Sequence, residues 1–237
     1  TLISGMGELH LEILVSRLER EFKVPVRTGR PQVVYHEAVS ATARHREVFD
    51  RGTEGDHVYG DVEVSIQPRE RGAGHEITWA WPHEGEPLPA MWNDEVRKAV
   101  QEGVEQALGS GPIGHPLDDV SVTVTHIGFL EGPTKPIGYT IAASTAVRRG
   151  IEAASPVVLS PIANVEISTP PEFTGECIGS INQRRGRVDG MEERSAVLSG
   201  IKASVPMERM FGYATELRSM SQGRASFTMT FSHYDKL

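Results

Sequence analysis

Residues 205–231 read VPMERMFGYATELRSMSQGRASFTMTF, and their pattern sets the fold of the C-terminal part of the chain. Pro206 suits a first helical position, where its fixed φ helps and its missing N–H is no loss. Behind it Met207, Met210, Phe211, Ala214 and Leu217 recur at helical spacing as one apolar stripe. Arg218 suits the negative pole of that helix, and Gly223 supplies a left-handed residue to end it. Ala225, Phe227, Met229 and Phe231 then alternate with Ser226, Thr228 and Thr230, the period of a strand with one buried face.

Working outward, residues 161–167 predict a strand, 170–185 a helix and 186–205 two strands. The whole segment therefore reads βαββαβ, the ferredoxin-like split βαβ order. Thr169-Pro170-Pro171-Glu172 predicts a capping box with proline in the first turn. Ser155-Pro156 marks a boundary. Further upstream, Val62, Val64 and Ile66 alternate inward within 58–67, and Val120, Val122 and Val124 do so within 119–127. Residues 33–38 and 76–81 are strand-like. Helices are predicted over 90–108, with Met91, Val96, Val100, Val104 and Ala107 inward, and over 137–154, with Ile141, Ala142, Ala146 and Ile151 inward. Residues 44–56 are polar and glycine-bearing, a loop by composition. At the N-terminal end Leu11, Val15, Leu18 and Phe22 stripe a helix over 7–22, followed by a short strand at 24–27. One helix and one strand cannot bury an apolar face alone, so residues 1–30 read as the end of a domain.

The net charge of −8 is unevenly placed. Residues 31–157 hold ten Lys/Arg against nineteen Asp/Glu, while the flanking segments are nearly balanced. A surface that coats RNA uniformly is excluded for the middle segment, because neutralising phosphate drives such binding. Only local basic patches remain. The single cysteine, Cys177, excludes an intrachain disulfide and a cysteine-ligated zinc cluster, and it suits a reducing cytosol as buried filler. No apolar run approaches the roughly 20 residues of a membrane helix. The expectation is a soluble cytoplasmic monomer without a membrane partner.

Two blocks carry a resemblance. MFGYATELRSMSQGRASFTMTF at 210–231 resembles the C-terminal signature of bacterial elongation factor G, the ribosomal translocase family. GMGELHLEILVSRLEREFKVPV at 5–26 is similar to a block of that family's third domain. The resemblance implies an α+β chain in three pieces. Residues 1–30 would end a ferredoxin-like third domain, and 158–237 would form the ferredoxin-like fifth. Residues 31–157 would form a ribosomal-protein-like fourth domain, with a left-handed βαβ crossover that breaks the usual handedness. It also implies a ribosome-binding arm that promotes GTP-dependent translocation of tRNA and mRNA. No GxxxxGK[ST] occurs in these residues, so GTP and Mg²⁺ are expected in a separate G domain, with no cofactor in this chain.

The candidate contacts follow from that resemblance. The first tip loop maps to residues 51–60, with Gly55, His57, Tyr59 and Gly60. Glu54 and Asp56 stand there where the family is more basic, so a plain solvated hairpin stays open. The second maps to 128–136, with Phe129 and Lys135. It lacks the family's histidine, and Phe129 fits a packed residue as well as a base-stacking one. Gln183, Arg184, Arg185 and Arg187 form the densest basic cluster and resemble a family RRG turn, although arginine is also favoured at a helix C-terminus. Arg218 and Arg224 would extend that surface. The altered tips keep a second role open, a divergent paralogue in ribosome recycling, rescue or protection. A free-standing enzyme is remote. His10 with Glu8 and Glu12 lacks further ligands for a metal, and Asp118-Asp119 and Glu192-Glu193 point to alternate sides.

Overall fold

In the computed structural model, residues 3, 8–29, 31–53, 56–83, 89–131 and 135–236 are described. In chain order they form α1 (Glu8–Arg20), β1 (His36–Val39), β2 (Ala43–Thr53), β3 (Asp56–Pro68), β4 (Glu76–Trp79), α2 (Asp94–Leu108), β5 (Val120–Gly128) and α3 (Ile137–Ala153). Then follow β6 (Pro156–Thr169), α4 (Thr174–Gln183), β7 (Arg187–Ser195), β8 (Leu198–Pro206), α5 (Tyr213–Met220) and β9 (Ser226–Asp235). Contacts group the chain into two units, residues 35–159 with 234–237 and residues 1–34 with 160–233. No helix among the described residues is long and apolar enough to cross a membrane.

In the first unit the sheet order is β2-β3-β5-β4. β3 is its spine, antiparallel to β2 and to β5, while β4 and β5 run parallel and are joined through α2. Val62, Val64 and Ile66 of β3 and Val120, Val122 and Val124 of β5 alternate onto one face and are fully buried. Val100 and Val104 of α2, with Ala142, Ala146 and Ile151 of α3, join them in one core. α2 begins at Asp94 rather than Ala90, because the Asn93 side chain accepts the Val96 N–H at 3.0 Å and caps it. On β1 the carboxylate of Glu37, fully buried, accepts the backbone N–H groups of His115 (2.9 Å) and Ile113 (3.1 Å). Those donors compensate a buried charge and hold the glycine-rich loop at 109–116 against β1.

β3 and α3 meet backbone to backbone. A Cβ on Gly60 would lie 2.2 Å from the Gly138 carbonyl oxygen, and one on Gly138 would lie 2.2 Å from the Tyr59 carbonyl oxygen. Only glycine permits that approach.

In the second unit the strands fall in the order β9-β6-β8-β7, with β6–β8 and β7–β8 antiparallel. This is the ferredoxin-like arrangement expected from βαββαβ. Ala163, Val165 and Ile167, then Ile201, Ala203 and Val205, alternate onto the face covered by Cys177, Ile181, Tyr213 and Leu217. Full burial of Ile167, Ile181, Ile201 or Leu217 contributes roughly 1.5–3 kcal/mol apiece.

Several sequence expectations need correction. Residues 44–53 are not loop but most of β2, paired with β3 from Ala43↔Ile66 to Thr53↔Asp56. Its polar residues still alternate, with His45, Glu47 and Phe49 half-buried and Arg44, Arg46, Val48 and Asp50 exposed. Residues 24–27 form no strand, having no paired neighbour among the described residues, and Val24 N–H turns back to the Leu18 carbonyl at 3.1 Å. At the expected Ser155-Pro156 boundary Pro156 opens β6, whose first four residues pair with β1 and whose residues 162–169 pair with β8. The proline is tolerated as a first strand residue.

Pro206 ends β8 instead of opening a helix. A 3₁₀ turn occupies Met207–Arg209, and Gly212 at φ 76° delays the α-helix to Tyr213. The capping box is absent too. Thr169 is fully buried and its hydroxyl accepts the Cys177 thiol at 3.8 Å, while a 3₁₀ turn over Pro171–Phe173 leads into α4. Phe231, placed inward by alternation, is 54% exposed.

The glycine contact gives a paired test. Gly138→Ala forces carbonyl and Cβ apart and should destabilise by roughly 2 kcal/mol or more, seen as a lower urea midpoint. Gly179→Ala, inside α4 with nothing within 4 Å of its Cβ position, should instead stabilise by up to about 1 kcal/mol through helix propensity.

Candidate nucleic-acid interface

At the outer end of the β2–β3 hairpin, residues 54–55 and so Gly55 lie outside the described residues. His57 Nε2 sits 2.6 Å from Asp50 Oδ1 across the strand pair, at the surface. Tyr59 is half-buried and donates its hydroxyl to Asp61 at 3.4 Å; burial, then the Asp61 charge, pushes its pKa up. Asp61 is itself buried and takes two bonds from Arg46, at 2.8 and 2.5 Å, which push the guanidinium pKa further up. Arg46 is thereby committed to its own sheet, while Arg44 and Arg51 stay exposed. Gly60 is buried against Gly138, so its glycine is required by packing and it offers nothing to a partner.

At the second tip, Phe129 packs inward. Its ring lies 5.8 Å from Trp81, 5.8 Å from Tyr139 and 6.5 Å from Trp92, and Trp79 is 6.0 Å from Trp92. Phe129 is thus half-buried as part of a ring cluster. All three tryptophans of the chain belong to this cluster. The sequence reading missed it, although their close spacing along the chain was a usable signal. Tyr139 closes the cluster from α3, donating its hydroxyl to the Gly128 carbonyl at 3.1 Å. Burial pushes its phenol up to about 12. Lys135 is exposed just before α3, and residues 132–134 lie outside the described set.

The basic residues of the second unit separate into two groups. Arg184, at the end of α4, makes a bidentate pair with Glu216 near the start of α5 (2.9 and 2.5 Å) and lies 4.9 Å over the Tyr213 ring. Arg224, after α5, pairs with Glu172 just before α4 at 2.6 Å and lies 4.7 Å over Phe173. The two helices thus run antiparallel and are lashed at both ends by an arginine, a glutamate and an aromatic ring. Arg218 and Arg224 accordingly do not extend the Arg184 surface; they sit at the opposite end of the helix pair.

Both helices stop in the same way. Gly186 N–H reaches the Ile181 carbonyl at 3.0 Å and Gly223 N–H the Arg218 carbonyl at 2.8 Å. The left-handed residue before each is Arg185 (φ 58°) and Gln222 (φ 53°), where glycine is usual. Gln183, Arg185 and Arg218 are exposed, with no side-chain partner among the described residues.

Cations on the open face of this sheet are matched by acids. Arg194 contacts Glu166 and Glu192, Lys202 reaches Glu192 at 3.4 Å, and Arg187 reaches Asp189 at 2.8 Å. The Ser204 hydroxyl, helped by Arg187, holds Asp189 below the usual carboxylate range. Burial pushes the Cys177 thiol up, away from the reactive thiolate.

Three family models match the sequence in order: Elongation Factor G, domain III over residues 1–30; Elongation factor G, domain IV over 31–155; and Elongation factor G C-terminus over 157–237. Elongation factor G 2 of Syntrophus aciditrophicus (strain SB) is 43% identical over 237 residues, all of this chain and 34% of that protein. A crystal structure of a Thermus thermophilus protein aligns with 98% of this chain and 34% of its own, at 28% identity and a TM-score of 0.78. The chain spans about a third of the length of the curated relative it matches.

The Tyr139 phenol carries a pH signature. The unfolded chain loses this proton near pH 10 and the fold only near 12, so its contribution is complete below about pH 10 and is lost as pH rises toward 12. Tyr139→Phe should lower stability by about 1 kcal/mol at neutral pH through the lost bond to Gly128. It should also flatten the alkaline loss, as read by tryptophan emission in urea melts at about pH 8 and about pH 11.

Proposed function

Because the chain belongs to the elongation factor G family, we propose that it is the ribosome-facing part of a translocase. Joined to a G domain that binds GTP and Mg²⁺, it promotes movement of tRNA and mRNA and acts as a cytoplasmic monomer. In this reading residues 1–30, 31–157 and 158–237 serve as the end of the third domain, the fourth domain and the fifth. The chain performs no covalent chemistry itself. Its contribution is shape: a nucleotide state elsewhere biases an arm that occupies the vacated decoding site.

The observation that carries this reading is the β2–β3 hairpin, whose register runs unbroken over eleven residue pairs. Such a strand pair resists bending, so a displacement at its base reaches its end. His57 and Tyr59 stand near that end, Gly55 falls between the two strands in sequence, and Lys135 stands beside the start of α3. Contact with RNA at these points, and at Gln183, Arg185, Arg187 and Arg218 in the second unit, suits the charge distribution. An acidic middle segment repels phosphate generally and leaves binding to a few placed groups.

The test is a toeprint. The full-length protein, given GTP and pre-translocation ribosomes, should advance the mRNA by one codon. His57→Ala with Lys135→Ala should slow that step several-fold while ribosome binding persists. An mRNA that stays in place with the intact protein overturns the assignment.

A further inference from the structure

In the sequence Arg184 and Arg185 look like equivalent cations for the RNA-binding reading, yet their surroundings divide them. Resting on that reading, we propose that Arg184 is a positioning residue, locked onto α5, that holds Arg185 out as the phosphate-binding group at the end of α4. Arg184 is only 15% exposed; both terminal nitrogens are spent on Glu216, and its Nε is buried with no partner. A well-packed apolar residue would avoid that orphaned donor, so the ion pair is retained for the geometry it imposes. Its fork and its stacking on Tyr213 fix the direction of the side chain as an ammonium would not.

Arg185 shows the reverse pattern. It occupies the left-handed position that favours glycine, although the next residue is a glycine. Gly186 is needed for another reason, since its Cβ would meet Val205 Cγ2 at 2.7 Å and Ile181 Cγ2 at 2.8 Å. The turn thus accepts an unfavourable backbone at Arg185 and displays its side chain. Arg185 N–H bonds to Asn182 and Gly186 N–H to Ile181, both at 3.0 Å, closing the turn beneath it. Arg187, Arg194, Lys202 and Arg224 are each matched by a carboxylate, whereas the exposed Arg185 guanidinium has no partner among the described residues. Its planar fork suits two oxygens of an RNA phosphodiester, and holding it in advance limits the entropy lost on contact.

The experiment uses the 237-residue chain and vacant bacterial ribosomes, titrated between about 0.05 and 0.2 M KCl. Arg185→Ala should weaken binding on the order of tenfold and reduce the salt slope by close to one. Glu216→Gln removes an anion, so simple electrostatics, or direct RNA contact by a freed Arg184, would strengthen binding. The positioning role requires weakening instead. Arg184→Lys, which keeps the charge and loses the fork, should weaken it as well. Stronger or unchanged binding by Glu216→Gln, or full affinity in Arg184→Lys, overturns the proposal.

Amide exchange in the chain alone separates this from the functional reading. In both variants Arg185 and Gly186 should exchange faster while Val165 and Ile201 keep their protection. No change at Arg185 and Gly186 overturns the positioning role whatever the ribosome does. A wild-type chain that fails to bind ribosomes overturns the functional reading itself.

Discussion

The bare backbone contact between Gly60 and Gly138 is the constraint on which the first unit depends. Gly60 lies in β3 just inside the hairpin end, and Gly138 lies in the first turn of α3, directly after the second tip. Their contact therefore ties both candidate loops to one point of the framework. Tyr139, the next residue, bonds to the end of β5 and closes the aromatic cluster around Phe129. With carbonyl and Cα packed face to face, no side chain remains that can change rotamer and loosen the join.

In the second unit the equivalent task falls to charge. The two arginine–glutamate–aromatic lashings commit two arginines to holding helix to helix, and the open sheet face cancels its own charges. Few groups are then left facing solvent unmatched. Under the proposed function selectivity would come by subtraction, since the net balance of this segment says little about where a polyanion could settle.

How much of this was legible in the sequence depends on where the stabilising interaction resides. Val62, Val64, Ile66, Val120, Val122 and Val124 announced their strands because the side chains themselves supply the burial. β2 did not: its support comes from backbone bonds to β3, and its charged side chains carry no apolar signal. The start of α5 was misplaced because Pro206 serves a strand end as readily as a helix start, and Gly212 decided between them through its positive φ. Arg184 and Arg224 looked like free cations because their partners, Glu216 and Glu172, lie some thirty to fifty positions away in sequence. The family resemblance supplied the functional reading, which no local pattern contained.

The hydrophilic character that disguised β2 has a further use. Among the described residues β2 is the outermost strand of its sheet, and an edge strand offers backbone amide and carbonyl groups as a template for another chain. Arg44, Arg46 and Asp50 are exposed along that rim, with Val48 between them. Pairing with another chain would desolvate these charged side chains, which is unfavourable. The same charges that hide the strand in the sequence thus act against its recruiting a further strand.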